Sequence, residues 1–323
     1  MTDAKAAIID MGTNTFHLLL VEFDQGGFKT IYKEKVPVKI GQQGISENNI
    51  HPDAEKRALD TLTHFRKLID KNDIQKVYAF ATSAVRNARN GSQFVKYIKE
   101  QVDIRVNVID GAQEAQLIYD GINFSGSLNA ENSLMMDIGG GSVEFIIGNE
   151  NEALWKQSFE IGGQRLLDLF HYHDPILGEE VVKLTQYLKE KLVDLITVLE
   201  KYKPKRLVGA SGTFDTLTDM YYASSKLSKI QGQSVFHLPR AEFEILAQKL
   251  VTLNKEERLQ IPGMIPMRVD MIVVASCLIE FILQYVDASE LVCSNYALKE
   301  GVISRLINKN EMLPCTDMES AKS

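Results

Sequence analysis

The sequence predicts an α/β protein built from two similar halves. Two observations carry that reading. Strand and helix signals alternate along the whole chain. One short pattern also occurs twice. Ile8-Ile9-Asp10-Met11-Gly12-Thr13-Asn14-Thr15-Phe16 resembles Met135-Met136-Asp137-Ile138-Gly139-Gly140-Gly141-Ser142-Val143. Each copy reads as two apolar residues, an Asp, an apolar residue, a Gly, two small or polar residues, a hydroxyl residue and an apolar strand. A β-hairpin used twice predicts two halves of like topology facing each other across a cleft.

The elements follow in order. Ala6 to Ile9 and Phe16 to Phe23 read as strands joined by the turn Asp10 to Thr15. From Asp53 to Lys71, Ala54, Ala58, Leu62, Phe65 and Ile69 recur at helical spacing. Val77 to Ala81 reads as a buried strand, Gln93 to Val102 as a helix, and Val106 to Ile109 as a strand. A helix is expected from about Ala112 to Tyr119. Leu134 to Met136 and Val143 to Ile147 are strands around a glycine-rich turn. Glu179 to Tyr202 predicts one long amphipathic helix, ended by Pro204. Leu207 to Ala210 predicts a strand opening into a helix after Ser211-Gly212-Thr213. Met271 to Leu283 predicts a buried helix, too short to span a bilayer. The tail after Asn308 is polar and expected to fray.

Composition narrows the function. The chain has 323 residues, enough for about two domains, since one core rarely serves more than ~250–300 residues. Its net charge is -7, which lacks the footprint of a duplex nucleic-acid binder. An anionic ligand must therefore meet a local site. Cys277, Cys293 and Cys315 are odd in number and far apart, so no disulfide framework or cysteine zinc site follows. No signal peptide is read in MTDAKAAIIDMG. A cytoplasmic protein with no membrane partner is expected.

The repeated turn suits phosphate. Glycine admits a close backbone, successive N–H groups form an anion-binding concavity, and hydroxyls add donors. The adjacent aspartates repel phosphate but can hold Mg²⁺ that bridges to it. His171-Tyr172-His173 has metal-ligand spacing without a third ligand, and surface or loop histidines are the simpler reading.

DMGTNT and DIGGGSVEF resemble the two phosphate loops of the actin-like ATPase superfamily. ATSAVRNARNG from Ala81 to Gly91 and IDGAQEAQLIYDGI from Ile109 to Ile122 narrow this further, because they are similar to segments of the exopolyphosphatase and guanosine pentaphosphate phosphatase family. The resemblance runs from about Ala6 to Ile307, and GASGTFDTL and RVDMIVVASCLIEF match later blocks more loosely. It implies two actin-like (ribonuclease H-like) domains with a duplicated βββαβα core flanking an interdomain cleft. Domain I would comprise residues 1–118 plus 297–323, and domain II residues 119–296. It also implies Mg²⁺ as cofactor, polyphosphate or guanosine pentaphosphate as substrate, and a homodimer.

The implied roles fall on matching positions. Glu114 occupies the place of the glutamate that activates the attacking water. Thr13, Asn14, Thr15, Arg86, Gly140, Gly141 and Ser142 stand at phosphate-binding positions. Asp10, Asp137 and Glu144 stand at acidic positions of the metal site. Arg165 matches an arginine after the third glycine segment. Three positions depart from the family pattern: His17 where arginine is common, Lys299 in ALKEG, and Gln113 in place of an acidic residue. They motivate an alternative, a catalytically weak alarmone- or polyphosphate-binding regulator. An actin-like ATPase or kinase is the other alternative.

Overall fold

The computed structural model describes residues 5–24, 26–42, 44, 47–230, 232–308 and 313–317. The chain divides into two units, one made of residues up to Glu114 and from Gly301 on, the other of Ala115–Glu300.

The first unit opens with an antiparallel meander, β1 (Lys5–Met11), β2 (Phe16–Phe23) and β3 (Phe28–Val36). Then come α1 (Pro52–Lys71), β4 (Lys76–Ala81), α2 (Ser83–Arg86), α3 (Gly91–Val102), β5 (Val106–Val108) and the first turn of α4 (Gly111–Phe124), whose remainder belongs to the second unit. β4 lies parallel to β1, and β5 parallel to β4. Strand side chains alternate between faces. Ile9, Met11, Phe16, Leu18 and Leu20 thus share one face and form a core with Leu62, Phe65 and Ile69 of α1 and Phe94 and Ile98 of α3. Asp10 and His17 fall on the opposite face.

The second unit repeats this plan. β6 (Ser133–Ile138), β7 (Val143–Gly148) and β8 (Ala153–Phe159) form an antiparallel meander. α5 (Gly163–Phe170), α6 (Gly178–Lys191), α7 (Val193–Tyr202), β9 (Arg206–Ala210), α8 (Ser211–Ser224), β10 (Val235–Pro239), α9 (Arg240–Thr252), α10 (Lys255–Leu259), α11 (Met271–Ile282) and β11 (Glu290–Ser294) follow. The strand order is β10-β11-β9-β6-β7-β8, with β9 parallel to β6 and β11 parallel to β9. Leu134, Met136, Phe145 and Ile147 pack with Leu184, Leu195, Phe214 and Leu278. Asp137 and Glu144 again lie on the other face. α12 (Leu298–Asn308) and β12 (Thr316–Asp317) end the described chain.

Several elements differ from expectation. The long helix predicted over Glu179 to Tyr202 is two helices, broken at buried Leu192, which caps α6 and opens α7 with φ -105° and ψ 22°. No proline or glycine marks the break. β3 and β8 were not expected as strands, because half-exposed edges lack clean alternation. The tail is not wholly frayed. Thr316 and Asp317 pair antiparallel with Val77 and Lys76, and the Arg105 N–H donates to Thr316 Oγ1 at 2.9 Å. The rest of the predicted tail (309–312 and 318–323) lies outside the described residues.

Candidate active site

Each hairpin turn is closed alike. The Gly12 N–H donates to Thr15 O at 3.1 Å, and the Gly139 N–H to Ser142 O at 3.0 Å. A second segment then takes the remaining turn carbonyls. In the first unit, Gly41 N–H donates to Thr13 O and Lys39 N–H to Asn14 O, at 3.1 and 2.9 Å. In the second, the N–H groups of Gly162, Gly163 and Gln164 donate to Gly141, Gly139 and Gly140 O at 3.1, 2.8 and 2.9 Å. With the carbonyls turned inward, the amides of Gly140, Gly141 and Ser142 have no acceptor among the described residues. This is the donor-rich concavity that an anion needs. Only glycine fits at 162, since a Cβ there would lie 2.4 Å from Gly140 C.

Asp137 and Glu144 face each other as register partners across β6 and β7. Both are buried and held by hydroxyls. Ser211 Oγ donates to Asp137 Oδ2 at 2.7 Å. Ser142 Oγ and Ser158 Oγ donate to Glu144 Oε1 at 2.7 and 2.6 Å. Ser211 sits at the β9–α8 junction with φ 68°, a left-handed conformation unusual for serine. A Cβ on Gly212 would lie 2.2 Å from Arg268 Nη2, so the guanidinium packs directly over that glycine. Burial pulls the Arg268 pKa below its ordinary value, and the Asp215 and Asp137 carboxylates oppose this. Arginine remains charged under such a shift.

In the first unit, Asp10 pairs in register with His17, and His17 Nδ1 is 3.7 Å from Asp10 Oδ2. Thr13 and Thr15 are buried in the turn. Glu114 lies in the first turn of α4, where the helix dipole favours a carboxylate. It is only 6% exposed and pairs with Arg86 Nη1 at 2.7 Å. Arg86 Nη1 also donates to Ile109 O at 3.2 Å. Gln113 has a local structural role that a glutamate there would share. Gln113 Oε1 accepts from the Asp110 N–H at 3.0 Å, and Asp110 Oδ1 from the Gln113 N–H at 2.8 Å. This capping box fixes the start of α4 and hence Glu114. Glu300 in ALKEG plays a like part, accepting from the Ala297 N–H at 3.0 Å.

The donor set suits a hard cation. Asp137 and Glu144 offer oxygen alone, and Mg²⁺ commonly takes one or two carboxylates together with substrate phosphates and waters. Among the described residues no cluster of three or more His, Cys, Asp or Glu forms a self-sufficient metal cage. Of the two histidines expected at the surface or in a loop, His173 is exposed and pairs with Glu180 at 2.9 Å, whereas the His171 ring is tucked inward with neither nitrogen hydrogen-bonded among the described residues. Arg165 donates to Gly141 O at 2.9 Å and to Glu160 at 3.2 Å, which braces the glycine turn.

Sequence reasoning missed Ser158, Ser211 and Arg268. For Ser211 the signal was available in the Ser-Gly-Thr that follows a strand. For Ser158 the strand itself was missed, and nothing local marks Arg268.

No helix among the described residues is long and apolar enough to cross a membrane. The model of the Ppx/GppA phosphatase family matches residues 19–310. A crystal structure of an exopolyphosphatase from Cytophaga hutchinsonii aligns with a TM-score of 0.92 at 45% identity, covering 95% of this chain and 99% of that one. A bifunctional 3-dehydroquinate synthase/phosphatase of Fusobacterium nucleatum is 30% identical over 94% of this chain and 47% of its own length. A guanosine-5'-triphosphate,3'-diphosphate pyrophosphatase of Aeromonas hydrophila is 27% identical over 94% of this chain and 60% of its own length. The chain thus spans roughly half to three-fifths of these two curated relatives. With the matched family model spanning most of the chain and the same topology built twice, this protein belongs to the Ppx/GppA phosphatase family and has its two-domain actin-like α/β fold.

Proposed function

We propose that this protein is a phosphohydrolase that releases terminal phosphate from inorganic polyphosphate, guanosine pentaphosphate or both. The observation that carries this reading is Glu114, a buried carboxylate fixed by a capping box and by Arg86 in a chain of this family. A carboxylate so held can orient a water for in-line attack. The water oxygen bonds to the terminal phosphorus as the bridging P–O bond breaks. One water proton passes to the Glu114 carboxylate and then to solvent, and the shortened chain leaves with the bridging oxygen.

The amides of Gly140 and Gly141, the Ser142 hydroxyl and amide, and Thr13, Asn14 and Thr15 hold the phosphoryl oxygens as charge develops on them. Arg86 both positions Glu114 and contacts phosphate. Asp10, Asp137 and Glu144 would hold the divalent cation, with Mg²⁺ our assignment. When bound, that ion neutralises charge on the phosphate oxygens. The hydroxyls of Ser211 and Ser158 fix the two carboxylates of the second unit. We further propose a cytoplasmic homodimer with domains at 1–118 plus 297–323 and 119–296, as the family resemblance implies.

The test is phosphate release with Mg²⁺ from long polyphosphate, short polyphosphate, guanosine pentaphosphate and ATP. Glu114→Gln should lower kcat by about 10²–10⁴-fold while substrate binding persists, the usual scale for general-base removal. Undiminished release by the variant would exclude Glu114 as the base. Binding of all substrates without release from any would favour a sensor over an enzyme.

A further inference from the structure

The two sheets carry the same turn but different rows of side chains beside it. In the second unit, Asp137, Glu144 and Ser158 are register partners across β6, β7 and β8. In the first, the equivalent row is Asp10, His17 and Lys35 across β1, β2 and β3. Register partners share a face, so the rows hold equivalent places in the two units. One row presents two carboxylates and a hydroxyl. The other presents a carboxylate, an imidazole and an ammonium. The next position of β3 on that face is Lys33, opposite Leu19, and both lysines are exposed. Beyond it a bulge at Leu20/Val21 shifts the register, and Lys29 pairs with Glu22 on the opposite face.

We propose that Lys35 and Lys33 form a subsite for the phosphates that trail the reacting one on a linear inorganic polyphosphate chain. This rests on the hydrolase reading above. Adjacent strands lie about 4.8 Å apart, which puts Lys35 roughly 10 Å from Asp10 and Lys33 about 7 Å farther along β3. That distance lies beyond one phosphoryl group and within the span of a chain. β3 is the outermost strand of its sheet, so a polyanion following the row runs to solvent. Lysine suits this task, because a flexible point charge tracks successive phosphates without fixing one. In a chain of net charge -7, such a pair is a local attraction that bulk charge does not provide. Edge strands also carry lysine to discourage strand pairing. Affinity measurements separate that role from a subsite.

The experiment compares the Lys33→Ala/Lys35→Ala double variant with Lys29→Ala and the parent, all checked for equal circular dichroism. The double variant should raise KM for long polyphosphate about tenfold, the scale of one charge-assisted contact, with kcat kept. The slope of log KM against log salt should fall by about 0.7 per lysine, as for single-stranded polyanions. KM for tripolyphosphate should change less than about twofold and Lys29→Ala should match the parent, because a contact is lost only where both chain and lysine reach the row. An unchanged KM and slope, or an equal effect of Lys29→Ala, overturns the subsite. An equal rise for guanosine pentaphosphate overturns its assignment to the inorganic chain. If the parent releases no phosphate at all, the hydrolase reading fails. Filter retention of labelled long polyphosphate by the three proteins then still decides the subsite.

Discussion

Ser211 shows how a single residue serves two demands. Its φ of 68° strains an L-residue, and its hydroxyl holds Asp137 at 2.7 Å. Glycine at this position would relieve the strain and lose the hydrogen bond; alanine would lose the bond and keep the strain. Ser211→Gly should therefore be about 1 kcal/mol more stable than Ser211→Ala in urea unfolding. Both should raise the Mg²⁺ concentration needed for half-maximal phosphate release, because Asp137 loses the Ser211 hydroxyl in each. The thiols give a second test at this scale. Burial pushes Cys277 and Cys293 up to about 12, which removes the reactive thiolate. Cys315 is only partly buried. Native protein should thus titrate one thiol with a disulfide reagent, and unfolded protein all three.

Among the elements, the segment linking α10 to α11 depends on Arg258. This side chain is fully buried and donates to Leu253 O at 2.6 Å, to Val269 O at 3.1 Å and to Asp174 at 2.7 Å. Arg268 belongs to the same segment. Arg258→Met should cost about 1–3 kcal/mol, because the Leu253 and Val269 carbonyls lose their donor while half-exposed Asp174 turns to water. Urea unfolding reads that loss. His171 lies close by, and its pKa is lowered by burial first and by Arg258 second, against the pull of Asp174, Asp270 and Glu180. The unfolded chain takes up that proton near pH 6.5 while the folded chain resists. Stability from neutral His171 is complete above pH 6.5 and is lost as the pH falls towards its lower folded value. The pH dependence of unfolding just below 6.5 should flatten in His171→Leu. An unaltered slope would place the proton elsewhere. Gly162→Ala tests the α5 start, where a Cβ meets Gly140 and Gly141 backbone. It should cost about 1–3 kcal/mol and lower phosphate release with it.

At the scale of the whole molecule, a net charge of -7 means that the proposed polyanionic substrate would have to be met by local donors and a cation. Chelation should therefore abolish phosphate release, and added Mg²⁺ should restore it. Release that persists in chelator would remove the cation from the reading. The sequence by itself determined the α/β class, the duplication, and which acidic and hydroxyl residues the two turns carry, and it supplied Glu114 as the base proposed above. Those features live in local pattern: period-2 runs, glycine turns and a repeated aspartate. The tertiary structure alone decided the rest. Gln113 reads as a lost acid until the capping box appears. Ser158 and Lys35 acquire meaning only from the pairing of half-exposed β8 and β3, which carry no clean alternation. Leu192 breaks a helix that no breaker residue marks. Arg268 meets Gly212 from a segment 56 positions away. Local periodicity reports which face of an element is buried; which residues meet across that face depends on register and long-range packing, and that information is not local to any stretch of chain.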